Sequence, residues 1–198
     1  MHVFLETDRL ILRRFTEADV DLLHDLDSDP EVLRYVTGGP PTPREEIRDD
    51  ILPAFLGYYA RFAGYGFWAA LERSSGTFLG WFHFRPLPGS PPDEPELGYR
   101  LRRAAWGQGY GTEGSRALID HGFGALGVRR VVASAAADNI ASRRVMEKSG
   151  LTLVRTYRIT FPDLFDGVEQ VDVEYALTRD EWERQRAARS NPGALSPH

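Results

Sequence analysis

The run of residues richest in chemical possibility is Trp106-Gly107-Gln108-Gly109-Tyr110-Gly111-Thr112-Glu113-Gly114. Glycine at alternate positions lets the backbone approach a ligand with no Cβ in the way. The run opens into a helical periodicity in which Leu118, Ile119 and Phe123 share one side. The first amide hydrogens of such a helix have no internal partner, and its dipole favours negative charge at that end. The segment therefore predicts an anion site, suited above all to a ligand carrying a pyrophosphate. A glycine-rich turn without a ligand would read the same way locally.

Two nucleotide patterns compete for this loop, and both are weak. Gly109-x-Gly111-x-x-Gly114 has the glycines of the dinucleotide fingerprint. That fingerprint also needs a strand immediately before it and an acid about 20 residues on, at the end of the next strand. Here five residues separate Leu101 from Gly107, and the next strand ends Ala133-Ser134-Ala135 with no carboxylate. A nicotinamide-dependent oxidoreductase thus stays a rival that lacks its ribose-binding acid. The Gly-Lys-Ser/Thr of a triphosphatase loop does not occur. Cysteine is absent, which removes disulfides, iron–sulfur clusters and thiol nucleophiles together. His24, His83 and His121 show no metal-ligand spacing and read as partly buried structural histidines, so no metal is expected.

The surrounding periodicities supply the elements that hold this loop. Glu6 to Arg14 reads as a strand, followed by a helix capped by Thr16 and Asp19, with Val20, Leu23 and Leu26 on its apolar face. Asp29-Pro30 starts a short helix. Thr42 and Glu45 form another capping signature, ahead of a helix that Pro53 must kink or end. "FWAALE" and "FLGWFHF", joined by "RSSG", read as a hairpin; Trp68, Trp81, Phe82 and Phe84 belong mainly to the core. A proline-rich loop leads to the strand "ELGYRL" and the glycine loop. "RVVASA" is a short buried strand, and "DNIASRRVMEKSG" a helix stopped by Gly150. Two strands joined near Asp166-Gly167 and a helix containing Trp182 close the domain, and a tail is expected from about Ala188.

The 198 residues carry 24 basic and 29 acidic side chains, a net charge of −5, with 42% hydrophobic and 27% charged residues. This is the composition of one soluble globular domain without the basic footprint of a nucleic-acid binder. No apolar stretch reaches the roughly 18 residues of a membrane helix, and residues 1 to 15 do not read as a secretory signal, so a cytoplasmic location is expected. The acids Asp25, Asp27, Asp29, Glu31, Asp49 and Asp50 read as a solvated face able to draw a cationic amine.

Three segments in order, "LETDRLILRRFTEADVDLL", "LGYRLRRAAWGQGYGTEG" and "ADNIASRRVMEKSGL", resemble the Gcn5-related N-acetyltransferase (GNAT) family in its RimJ/RimL-like branch of ribosomal-protein N-terminal acetyltransferases. The resemblance covers residues 5 to 182. It implies an α/β fold: a mixed, mostly antiparallel sheet of about seven strands with helices on both faces and a splayed central pair. The domain would span 5–184, with 185–198 a disordered tail.

The resemblance also implies acetyl-CoA as cosubstrate and transfer of its acetyl group to a primary amine, on a small molecule or a protein N-terminus, by direct attack in a ternary complex. Carried over by position, coenzyme contacts fall on Gly98, Tyr99, Arg100 and Leu101 of the splayed strand, on Trp106, Gly107, Gln108, Gly109, Tyr110, Gly111 and Thr112, and on Asn139. Trp106 stands where the family usually has Arg or Gln. Ser142 stands where this branch has a serine proposed to protonate the leaving thiolate. The tyrosine acid of many relatives is Met146 here, which keeps a non-catalytic acyl-CoA sensor as a second rival. Glu96, entering the splayed strand, is the candidate base. Glu113 reads as support for the helix dipole. A monomer or homodimer is expected.

Overall fold

The computed structural model describes residues 2–36, 41–160 and 169–190. Eight strands form one sheet: β1 (Val3–Glu6), β2 (Leu10–Arg14), β3 (Gly66–Glu72), β4 (Phe78–Pro86), β5 (Pro95–Leu101), β6 (Arg130–Ala136), β7 (Thr152–Thr160) and β8 (Glu169–Thr178). Their spatial order is β1-β2-β3-β4-β5-β6-β8-β7. Every neighbouring pair is antiparallel except β5 and β6.

Helices α1 (Val20–Asp27), α2 (Pro30–Leu33), α3 (Arg44–Glu46) and α4 (Leu52–Arg61) precede β3; α5 (Tyr110–Ala125), α6 (Ile140–Lys148) and α7 (Arg179–Ser190) follow β5. Two apolar cores separate them. Leu23, Leu26, Leu52 and Phe55 close on Phe67, Ala69 and Trp81 on one face. Leu118, Ile119, Phe123 and Trp182 close on Trp68, Phe82 and Phe84 on the other. The central strands are buried on both faces, which is why "GFWAALE" and "FLGWFHF" run nearly unbroken in apolar residues. Helix α5 lies unusually close to the sheet: a Cβ on Gly114 would overlap the Phe82 ring, and one on Gly122 would come within 2.6 Å of Phe84.

The sheet has eight strands where about seven were expected, because Glu6 to Arg14 is not one strand. Thr7 Oγ1 accepts the Leu10 amide at 2.9 Å, and the turn over Thr7 to Arg9 folds β1 back on β2. Pro53 does not end its helix early. A π turn over Ile47–Ile51 sends the Leu52 amide to Ile47 O, so α4 restarts with Pro53 in its first turn, where an N–H has no helical partner to lose. Thr42 does not cap; the N-cap position is Pro43. The capping signatures at Thr16/Asp19 and Thr178/Glu181 are both formed. Helix α7 continues to Ser190, past the Ala188 at which the tail was expected to begin. The Asp166-Gly167 junction lies outside the described residues.

Candidate active site

The parallel neighbours β5 and β6 pair at one position, Glu96 with Val132. Beyond it they diverge, so the edges of Leu97–Leu101 and Ala133–Ala136 face each other unpaired. The slit opens into a cavity of about 510 Å³ whose lining includes Glu96, Gly98, Tyr99, Ala135, Ser142 and Met146. Alternation along β5 gives the slit two sides. Leu97, Tyr99 and Leu101 turn toward the core under α5. Glu96, Gly98 and Arg100 turn to the face of α1, where Arg100 Nη1 meets the buried Asp27 carboxylate at 2.6 Å and its guanidinium lies over Trp81.

The glycine loop enters α5 through Gly109, whose φ of 85° lies in the left-handed region that favours glycine. The helical ladder begins with Glu113 N–H to Gly109 O at 3.0 Å. The amides of Gly109, Tyr110, Gly111 and Thr112 precede that first bond and are free to donate outward. A Cβ at Gly107 would meet nothing within 4 Å. This cradle of free amides at the positive end of a 16-residue helix fits a pyrophosphate. The side chains of the loop are engaged in holding it: Tyr110 Oη donates to Glu72 at 2.7 Å, Gln108 Nε2 to Ala104 O at 2.6 Å, and Trp106 Nε1 to Leu101 O at 2.7 Å.

The brace behind the loop comes from the β1–β2 turn. Glu113 Oε1 accepts from Thr7 Oγ1 at 2.6 Å and from the Arg9 amide at 2.9 Å. Arg9 also donates to Gln108 O at 2.9 Å and stacks over Tyr110. Burial raises the Glu113 carboxyl, but these bonds outweigh it and hold the group below its usual range. Glu113 is thus a fastening between chain start and anion loop, a role that its position in the first turn did not reveal.

Asn139 is the N-cap of α6, its Oδ1 accepting the Ser142 amide at 3.1 Å. Its side-chain NH₂ remains available as a donor. The Ser142 hydroxyl and the Tyr99 phenol both line the cavity, and burial pushes the phenol above its usual range although Ser142 draws it down. Ser142 and Tyr99 therefore form a pair of neutral hydroxyls facing buried Met146.

On the opposite side, Glu96 lies 3.2 Å from both His83 Nε2 and Arg85 Nη2. The histidine contact has ion-pair length without hydrogen-bond alignment, and neither ring nitrogen has an aligned partner. Burial lowers the His83 imidazole more than Glu96 raises it, so the ring is neutral at pH 7. Burial raises Glu96 in turn, but its neighbours, the Arg85 cation among them, hold it below the usual carboxylate range. The sequence reading placed His83 in the structural background; its register opposite Gly98 was the available signal. Of the acidic group, Asp27 is buried against Arg100 and the others remain exposed or part-exposed.

A splayed parallel pair beside an amide-lined helix start is an arrangement suited to an acyltransferase. The chain belongs to the acetyltransferase (GNAT) domain family, whose model matches residues 9–152. It is 32% identical over 188 residues to the FsC-acetyl coenzyme A-N(2)-transacetylase of Aspergillus fumigatus, covering 92% of this chain and 79% of that protein. An acetyltransferase from Agrobacterium tumefaciens superposes with a TM-score of 0.69 at 26% identity, over 87% of this chain and 92% of that one. RimL, the ribosomal L7/L12 alpha-N-protein acetyltransferase, solved in complex with coenzyme A, shares the fold with a TM-score of 0.74 at 23% identity, over 91% and 99% of the chains. The protein is an N-acetyltransferase of this family, and the nicotinamide reading is set aside. No helix among the described residues is long and apolar enough to cross a membrane.

Proposed function

We propose that the chain moves acetyl from acetyl-CoA to a primary amine, on a small molecule or a protein N-terminus, by direct attack within a ternary complex. The single observation carrying this reading is the two-sided slit: free amides and the unpaired β5 and β6 edges on one side, a cleft with ionisable groups on the other. The coenzyme supplies an activated thioester. Backbone amides of Gln108, Gly109, Gly111 and Thr112 hold its pyrophosphate, and the Gly98–Leu101 edge takes its arm as an added strand. The Asn139 side-chain NH₂ donates to that arm. Ser142, backed by Tyr99, gives a proton to the leaving thiolate. Glu96 draws the proton from the amine, directly or through a neighbour. Rate comes chiefly from orientation and from amides that polarise the carbonyl. The small-molecule arm is favoured by the Aspergillus relative, whose name places its transfer at an N(2) amine; the branch resemblance favours a protein N-terminus.

The test is thiol release from acetyl-CoA against spermidine, ornithine, kanamycin and a serine-initiated peptide, after a thermal-shift titration with coenzyme A and NADPH. Stabilisation by coenzyme A with turnover of one amine supports the reading. Stabilisation with no thiol release from any amine favours a sensor and sinks it.

A further inference from the structure

We propose that His83 is the catalytic base that takes the proton of the acceptor amine, with Glu96, beside Nε2, as its positioning residue. This deepens the acetyl-transfer reading and rests on it.

Four observations converge. First, the imidazole lies directly across Gly98: a Cβ there would stand 2.6 Å from His83 Cε1 and Nε2. Gly98 is two residues past the last β5–β6 pair, so the ring sits at the lip where the slit begins. Second, it sits on the face of β5 opposite Tyr99 and Ser142, the face from which an acceptor meets a thioester held in the slit. Third, the ring is fixed between Phe67 and Trp81, with centroids 5.5 and 5.8 Å away. Fourth, neither nitrogen makes an aligned hydrogen bond, although Nε2 stands 3.2 Å from Glu96 and the side chain is only 13% exposed. A buried polar group left unpaired costs about 1–3 kcal/mol. An amine in the cleft supplies the partner that the protein withholds.

The charged groups around the ring decide its state. Glu96 and Arg100 face it from β5 and Arg85 from its own strand; Asp27 of α1 is committed to Arg100, and Tyr58 of α4 lies 3.4 Å from Arg85. Burial and the two arginines keep the imidazole neutral and so able to accept. Glu96 is tied to Arg85 at 3.2 Å, which commits its carboxylate to that cation. In the step, the amine lone pair forms the C–N bond to the thioester carbonyl carbon and the N–H proton passes to the His83 imidazole. The C–S bond breaks, and the thiolate takes a proton from the Ser142 side. The imidazolium then faces Glu96, which compensates its charge.

The experiment follows kcat against pH for thiol release with the panel amine that turns over fastest. His83→Gln is expected to lower kcat by about 10²- to 10⁴-fold and to erase the acid limb while the coenzyme A thermal shift persists. Glu96→Gln removes a group that raises the His83 pKa, so the acid limb moves to lower pH and kcat falls less. Imidazole added to His83→Ala restores turnover in part. A His83→Gln enzyme within about threefold of wild type, with the same acid limb, overturns the proposal alone. Wild type that acetylates no panel amine overturns the acetyl-transfer reading and this proposal with it. Should the variants not fold, the backbone-assigned His83 ring is titrated by NMR in the wild-type coenzyme A complex. A midpoint matching the acid limb supports the base, and a mismatch removes it.

Discussion

Gly109→Asp puts the coenzyme loop under a test whose size follows from the structure. Gly109 has φ 85° and ψ −2°, where a side chain costs about 1–2 kcal/mol. A Cβ there stands 3.3 Å from Arg9 Nη2, a tight contact that the guanidinium, held by Glu113 and Gln108 O, must relieve by a shift of a few tenths of an ångström. For a chain of this size each kcal/mol moves Tm by about 2–4 °C, so the apo variant should melt about 2–8 °C lower and stay folded. The new carboxylate is offered the Arg9 cation and the free amides at the start of α5, the donors meant for the pyrophosphate. Wild type at about 100 times its Kd gains about 2.7 kcal/mol, or about 5–11 °C. The variant should gain almost none of this at the same coenzyme A concentration. Gly109→Asn, which tolerates the left-handed region and carries no charge, should keep part of the shift. A folded Gly109→Asp protein with the full wild-type shift would refute the assignment of the pyrophosphate to these amides.

Three further outcomes are expected. Asp27→Ala strands the Arg100 cation, whose side chain is 17% exposed, and should cost about 3–5 kcal/mol, or about 6–20 °C in Tm; adding Arg100→Met should recover much of the loss, and simple additivity would show the pair is uncoupled. Glu113 has a depressed carboxyl, so its bonds to Thr7 and Arg9 stabilise the fold above its unfolded pKa of about 4.3 and are lost as pH falls through the lower folded value. Melting from pH 7 to 3 should therefore show the Tm gap between wild type and Glu113→Gln closing in acid, and a constant gap would contradict the brace. Ser142→Ala should lower kcat by about 10²-fold with coenzyme binding intact, and Tyr99→Phe should lower it less; unchanged turnover in steady-state assays would remove that hydroxyl pair from the mechanism.

What the sequence disclosed was whatever local pattern encodes. The β3–β4 hairpin, the α5 start and the Asn139 cap stand on turn residues, glycines and periodicity confined to a few neighbours. The Thr7 turn was hidden because Leu10 to Arg14 continues the apolar character of Val3 to Glu6, and only Thr7 bonding back to Leu10 breaks the strand. Pro53 was misjudged because a π turn one residue upstream supplies the missing accommodation, and nothing in "IRDDI" announces it. His83 was overlooked for a different reason. Its meaning depends on Gly98, 15 residues on, lying directly opposite and leaving room for the ring. Gly114, read as part of the anion loop, and Gly122, which no local pattern marks, are needed for a distant reason: Phe82 and Phe84 press against them.

The two-sided slit also divides the chain by origin. The coenzyme wall is built from a continuous stretch running from β5 to α6, whereas the acceptor wall draws on α1, α4 and the β3–β4 hairpin that precede it. Acceptor choice and coenzyme capture are therefore separable cassettes, open to recombination between relatives. The crossover must fall after β2, because the Thr7–Arg9 turn belongs mechanically to the coenzyme cassette although it lies first in the chain. A chimera that exchanges the stretch from α1 through β4 should inherit the donor's acceptor range and keep the recipient's hold on the coenzyme.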